Sequence, residues 1–240
     1  MRFDVVAALV AFGAGAIAAV TGFGIGSILT PLLGMQIGVK LAVAAVSIPH
    51  VIGTAIRFWT LRNRVDKQVL KTFGLMSAAG GLLGALLHAA VHAPAIKIVF
   101  AFILIVAGLL GVTGLSDRLR FGRTGAWIAG AVSGMLGGLI GNQGGIRAAA
   151  MLAFDVRKEA FVATATAIAL IVDGVRMPVY AVNEGRALLA VWPLIAITTA
   201  AVVAGTLLGK PILGRVPEKA FRRIVAALIF ALGVAMLVAR

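Results

Sequence analysis

The sequence has no cysteine in 240 residues, which excludes disulfides, thiol catalysis and Cys-based metal sites. Charge is scarce as well: only 12% of residues are charged, against roughly a quarter in soluble domains, and only eight are acidic. No His-Glu-x-x-His, Walker loop or Ser/His/Asp set is present, so neither hydrolysis nor ATP-driven transport by this chain has support and an enzyme is not expected. No metal or cofactor is expected either. What is there is apolar: 61% of the side chains, with a mean hydropathy of +1.09. Such a chain belongs in a lipid bilayer. The net charge of +14 then sits at membrane edges, where Lys and Arg hold loops on the cytoplasmic face, and nucleic acid is set aside as a partner.

The apolar stretches run at about 3–33, 41–59, 72–91, 96–115, 125–153, 160–182, 187–208 and 220–239. They are continuously apolar over helical lengths without alternation, so the fold class is an all-α membrane protein. Arg2 followed by an apolar run could pass for a secretory leader. Asp4 in the basic region, and a counterpart of the stretch near residue 130, make it part of the mature protein.

An offset of 119 residues lays Gly15 on Gly134, Gly22 on Gly141, Gly26 on Gly145, Leu33 on Leu152 and Arg57 on Arg176; further along, an offset of 125 lays Gly80 on Gly205, Gly84 on Gly209 and Gly108 on Gly233. The chain reads as a duplicated four-segment unit, with a first membrane repeat over 1–119 and a second over 120–240.

The first segment of each repeat is about thirty residues long, too long for one crossing and too short for two. Each holds a glycine-rich break, Gly22-Phe23-Gly24-Ile25-Gly26-Ser27 and Gly141-Asn142-Gln143-Gly144-Gly145. Each is a tilted broken helix or a re-entrant hairpin. If all eight segments cross, the positive charges divide almost evenly. If the two long ones enter and return on one side, five (Arg2, Lys40, Lys97, Arg186, Arg240) face fourteen, as the positive-inside rule requires. Three crossings per repeat then make the halves inverted repeats with broken or re-entrant first helices, and both termini periplasmic.

Two breaks at matching positions point to one shared site, because freed backbone groups in lipid need protein or a water-filled cavity, and helix starts attract anions. The substrate-binding candidates are Gly22, Gly24, Gly26 and Ser27 with Gly141, Asn142, Gln143, Gly144, Gly145 and Arg147. The alternative is that these glycines only allow close helix packing. A carboxamide pair at membrane depth is costly without a polar partner. Arg147 offers a planar, always-charged fork for a sulfonate-like or carboxylate anion, or else snorkels. Asp173 and Arg176, three apart on one helix face, form a gate, a charge relay or a structural ion pair. His50 is a proton carrier or a packed histidine. Arg57, near the basic loop, is expected to be a cytoplasmic anchor.

The Gly22–Gly26 break followed by Leu29 to Leu33, the run Gly141 to Arg147, the loop Asn63-Arg64-Val65-Asp66 and the closing Val216-Pro217-Glu218-Lys219-Ala220-Phe221-Arg222-Arg223 together resemble the TauE/SafE-type sulfite exporter family over essentially the whole chain. Ile25 and Ser27 depart from its commoner Gly-Gly-Gly run. The resemblance implies a multi-pass permease of the bacterial cell inner membrane that moves sulfite, sulfonates and related anions. The reading is an exporter working by alternating access; the alternative is a passive anion or small-molecule channel. Its partners are a small anionic substrate and the lipid bilayer, and it admits a homo-oligomer.

Overall fold

In the computed structural model, which describes residues 2–88, 94–115, 122–140 and 144–238, every regular element among the described residues is helical. Glycine makes the first break: α1 (Arg2–Thr21) stops and α2 (Ile25–Ile37) starts across Gly22 at φ +82° and Gly24 at φ +127°, a region that side-chain-bearing residues seldom enter. Gly38, at φ +78°, turns the chain into α3 (Val39–Leu61). Asp66 then caps α4 (Lys67–Val69), its Oδ1 accepting the Gln68 and Val69 backbone N–H groups at 2.9 and 3.0 Å. A π-helical turn, Leu70–Gly74, continues it into α5 (Leu75–His88). There follow α6 (Pro94–Val112), α7 (Arg123–Ile140), α8 (Gly144–Met151), α9 (Lys158–Ala190), α10 (Trp192–Arg215) and α11 (Glu218–Val238).

Six helices among the described residues are long and apolar enough to cross a membrane: α1, α3, the Lys67–Leu87 stretch, α9, α10 and α11. Leu9, Phe102, Val182 and Leu208 point outward and exposed, an apolar surface fit for lipid rather than water. One boundary differs from the sequence expectation. The polar stretch at 183–186 reads as a turn, yet α9 continues through it to Ala190, and Glu184 within it pairs with Lys40 at 3.1 Å on the neighbouring α3.

Small residues decide which helices meet. Gly15 lies against the Val202 carbonyl and Thr206, and Gly205 against the Phe12 carbonyl and Ala16, so α1 is sealed to α10; a Cβ added at Gly15 or Gly205 would fall 2.4 or 2.0 Å from those oxygens. Gly134 lies against Ser77 and Gly81, and Gly80 against Ala131 and Met135, sealing α5 to α7. These are corresponding contacts: Gly134 follows Gly15 by 119 residues, while Val202 and Thr206 follow Ser77 and Gly81 by 125. Gly108 on Phe230 and Gly233 on Ile105 correspond in the same way between α6 and α11.

The contact order also gives directions. Positions rise together along α1 and α10 (Gly205 on Phe12, Gly209 on Ala16 and Ala19) and along α5 and α7, so those pairs are parallel. They run oppositely in α6 and α11, where Gly111 meets Ala226 and Gly233 meets Ala101. The α3 and α9 helices are antiparallel too, with Lys40 at Glu184, His50 at Asp173 and the Asp66 N–H donating to Thr164 Oγ1. Gly26 lies beside His50, so α2 folds back along α3 and starts near that helix's midpoint. The broken first segment is therefore a hairpin, with the start of α2 deep in the helix assembly.

Candidate functional site

Two helix starts meet at the centre. A Cβ placed on Gly144, the first residue of α8, would lie 3.0 Å from Phe23 Cβ and 3.7 Å from the Gly24 nitrogen, just before α2. Each start presents backbone N–H groups that the helix itself leaves unpaired, and hence partial positive charge. They border a cavity of about 30 Å3 lined by Gly24, Gly26, Ser27 and Thr30 of α2 and its cap, Ser47 and His50 of α3, Gly144 and Arg147 of α8, and Asp173, Arg176 and Tyr180 of α9. The space suits about one water, so the site is drawn shut around its polar groups.

The side chains form one network with one member left over. Asp173, 1% exposed, takes the Arg176 Nη2–H on Oδ1 at 2.6 Å, while its Oδ2 lies 2.6 Å from His50 Nδ1. The Arg176 guanidinium also stands 5.9 Å from the centre of the Tyr180 ring, in cation–π range. A carboxylate with two nitrogen partners offsets its own burial. Arg147 has no such arrangement. It is the largest fully buried side chain among the described residues at 2% exposure, and its Nε has no hydrogen-bond partner. One carboxylate thus faces two guanidinium groups, and the cavity carries a positive excess that an anion would balance.

A family model, Sulfite exporter TauE/SafE, matches residues 7–236. The chain belongs to the sulfite exporter TauE/SafE family. Comparison with curated proteins and with solved structures found no match. Membership makes the chain a TauE/SafE membrane permease with several crossing helices, in agreement with its apolar spans.

In this TauE/SafE chain the structure gathers Gly24, Gly26, Ser27, Gly144, Arg147, His50, Asp173 and Arg176 around one cavity. Gly22 and Gly145 do not line it: Gly22 provides the positive-φ turn against Val162, and Gly145 packs on Leu104. Gly141, Asn142 and Gln143 lie outside the described residues. Thr30, Ser47 and Tyr180 line the cavity without having been singled out from the sequence. Tyr180 had a signal, being the only tyrosine and continuing the 173, 176 face by one further turn.

Arg57 corrects the sequence reading. Far from snorkelling to the cytoplasmic edge of the TauE/SafE fold, it is 3% exposed, held by its Nη2 on Thr54 Oγ1 at 3.0 Å. It lies in a groove between α3 and α10, because α3 continues one more turn beyond it to Leu61. Among the described residues no three His, Asp or Glu side chains come together, so the chemistry available is that of guanidinium, imidazole, carboxylate and hydroxyl groups.

Proposed function

We propose that the chain exports a small organosulfur oxyanion such as sulfite or a sulfonate, by alternating access around the central cavity. The observation that carries the reading is Arg147, a buried guanidinium with an unpartnered nitrogen at the first turn of a helix whose start abuts a second helix start. A flat guanidinium and two convergent sets of N–H groups match three oxygens on one sulfur. Ser27, Thr30 and Ser47 supply hydroxyls around the same space, and Asn142 and Gln143 directly precede α8 in the sequence.

The 1–119 and 120–240 halves are proposed as inverted repeats. Support comes from the corresponding glycine contacts, from the antiparallel α6–α11 and α3–α9 pairs, and from the hairpin in the first segment. A twofold axis perpendicular to the helices makes self-paired helices antiparallel, whereas one along them would make them parallel. In this topology the fourteen-charge face is cytoplasmic and both termini are periplasmic, in a bacterial inner membrane. An inside-negative potential then assists an anion leaving by about 2.3 kcal/mol per charge per 100 mV. Movement in the other direction would need a coupled proton, for which the His50–Asp173 pair is the candidate carrier.

The test is flux in proteoliposomes with sulfite and several sulfonates, with and without a pH gradient, at a set voltage. Saturable flux abolished by Arg147→Ala is the expected result. Non-saturating flux at channel rates would replace the transporter with a passive anion channel, and absence of flux for every oxyanion would reject both. Topology has a separate check in this cysteine-free chain: Arg64→Cys should label from the cytoplasmic face and Arg240→Cys from the outer one.

A further inference from the structure

Among the described residues one buried cation does not line the central cavity. Arg57 spends Nη2 on Thr54, and its Nε and Nη1 have no partner. Beside it, the Thr206 hydroxyl of α10 is buried and unpartnered. Both residues line a second cavity of about 30 Å3 between α3, α10 and the end of α1, and the exposed Lys210 stands at its rim. Among the described residues no acidic one lines that space. The cost of burying an unpaired guanidinium and an unpaired hydroxyl side by side is relieved by a ligand that accepts from both, and an anion alone also balances the guanidinium charge, which a neutral acceptor such as water leaves in place.

Position adds to the argument. The cavity reaches Leu213 and Leu61, at the ends of α10 and α3 next to the basic loops. Arg57 lies about two turns nearer the basic end of α3 than His50 of the central cavity, so an anion arriving from that end meets Arg57 first.

We propose that Arg57 and Thr206 form a second anion site, with Lys210 only at its rim, on the basic-loop side of the central cavity, that takes a small oxyanion before it reaches Arg147. The proposal rests on the export reading for its direction, but the site itself is a matter of binding and is tested as such. Lys210→Cys places a single exposed thiol at the rim of the cavity in the full-length, detergent-solubilised protein. The probe is ethanesulfonate, since sulfite itself consumes thiol reagents. Saturating ethanesulfonate should slow maleimide labelling about threefold or more, as expected when a bound anion covers a thiol for most of the time.

The slowing should vanish in the Lys210→Cys/Arg57→Gln protein and persist in Lys210→Cys/Arg147→Ala. Thr206→Val in the same background should raise the ethanesulfonate concentration for half-protection about threefold, as loss of one hydrogen bond to a bound anion does, and it answers the question if the Arg57 variant does not fold. Absence of slowing, slowing unchanged by Arg57→Gln and Thr206→Val, or equal slowing by sodium chloride at the same ionic strength would overturn the site. Protection without flux would reject the export reading and keep the site; flux without protection would do the opposite.

Discussion

Arg57 and Arg176 stand 119 residues apart at matching positions of the two halves, and each hydrogen-bonds the residue three before it on its own helix. In one half that residue is Thr54, at 3.0 Å; in the other it is Asp173, at 2.6 Å, which also meets His50. The backbone frame is shared and the charge is not. A carboxylate turns the second arginine into a neutralised pair that knits α9 to α3, while a hydroxyl in the same place leaves the first with its charge unspent. The glycine contacts set the frame alike in both halves, and a single acid decides whether the buried arginine beside it has a carboxylate partner.

The most damaging way to break the comparison is Asp173→Asn. It leaves the Arg176 guanidinium buried with a neutral partner, as Arg57 is, and takes from His50 the carboxylate that joins α3 to α9. Removing one member of a buried ion pair costs about 3–5 kcal/mol, so a loss of thermal stability in detergent well beyond that of any other substitution considered is expected. A melting temperature unchanged from wild type would mean that the Asp173 network contributes nothing to the fold.

Next come the seams. Gly205→Ala drives a methyl towards the Phe12 carbonyl and Gly80→Ala drives one towards the Ala131 carbonyl, at 2.0 and 2.3 Å before relaxation. Each should cost about 1–3 kcal/mol, by parting two helices that touch backbone to backbone. Because the contacts correspond, the two losses should be similar. Gly174→Ala, where nothing lies within 4 Å, should be neutral or mildly stabilising and serves as the control for helix propensity. Unfolding measured for all three would show whether the frame is as symmetric in energy as it is in geometry.

Much of this frame was legible in the sequence, for reasons of chemistry. Continuous apolarity announces membrane helices, glycines at φ values of +82° and +127° announce the break between α1 and α2, and a three-residue spacing announces the Asp173–Arg176 pair. What escaped was whatever depends on rotation and depth. Arg57 looked like an edge residue because the basic loop begins only a turn away, but its direction is set by the groove between α3 and α10, which no local pattern reveals. The His50–Asp173 contact joins residues 123 apart and exists only once α3 and α9 lie side by side. The turn expected at 183–186 is helix instead: Glu184 and Arg186 are good helix formers, and the Glu184 charge meets Lys40 of α3, a residue far away in sequence.

The subtlest experiment transplants the asymmetry. Thr54→Asp would give Arg57 the partner that Arg176 has, at the same helical spacing and at a site that is fully buried. Burying a carboxylate beside a waiting guanidinium roughly breaks even between desolvation and attraction, so stability should change by no more than about 1 kcal/mol. Transport should respond more than folding. With its charge neutralised, Arg57 no longer attracts an anion from the basic face, and the KM for substrate offered on that face should rise about tenfold, while the KM from the opposite face, set by Arg147, stays within about twofold. A rise on both faces alike would assign Arg57 to the central site instead. No rise on either face, with stability preserved, would mean that the charge difference between the halves has no bearing on the anion.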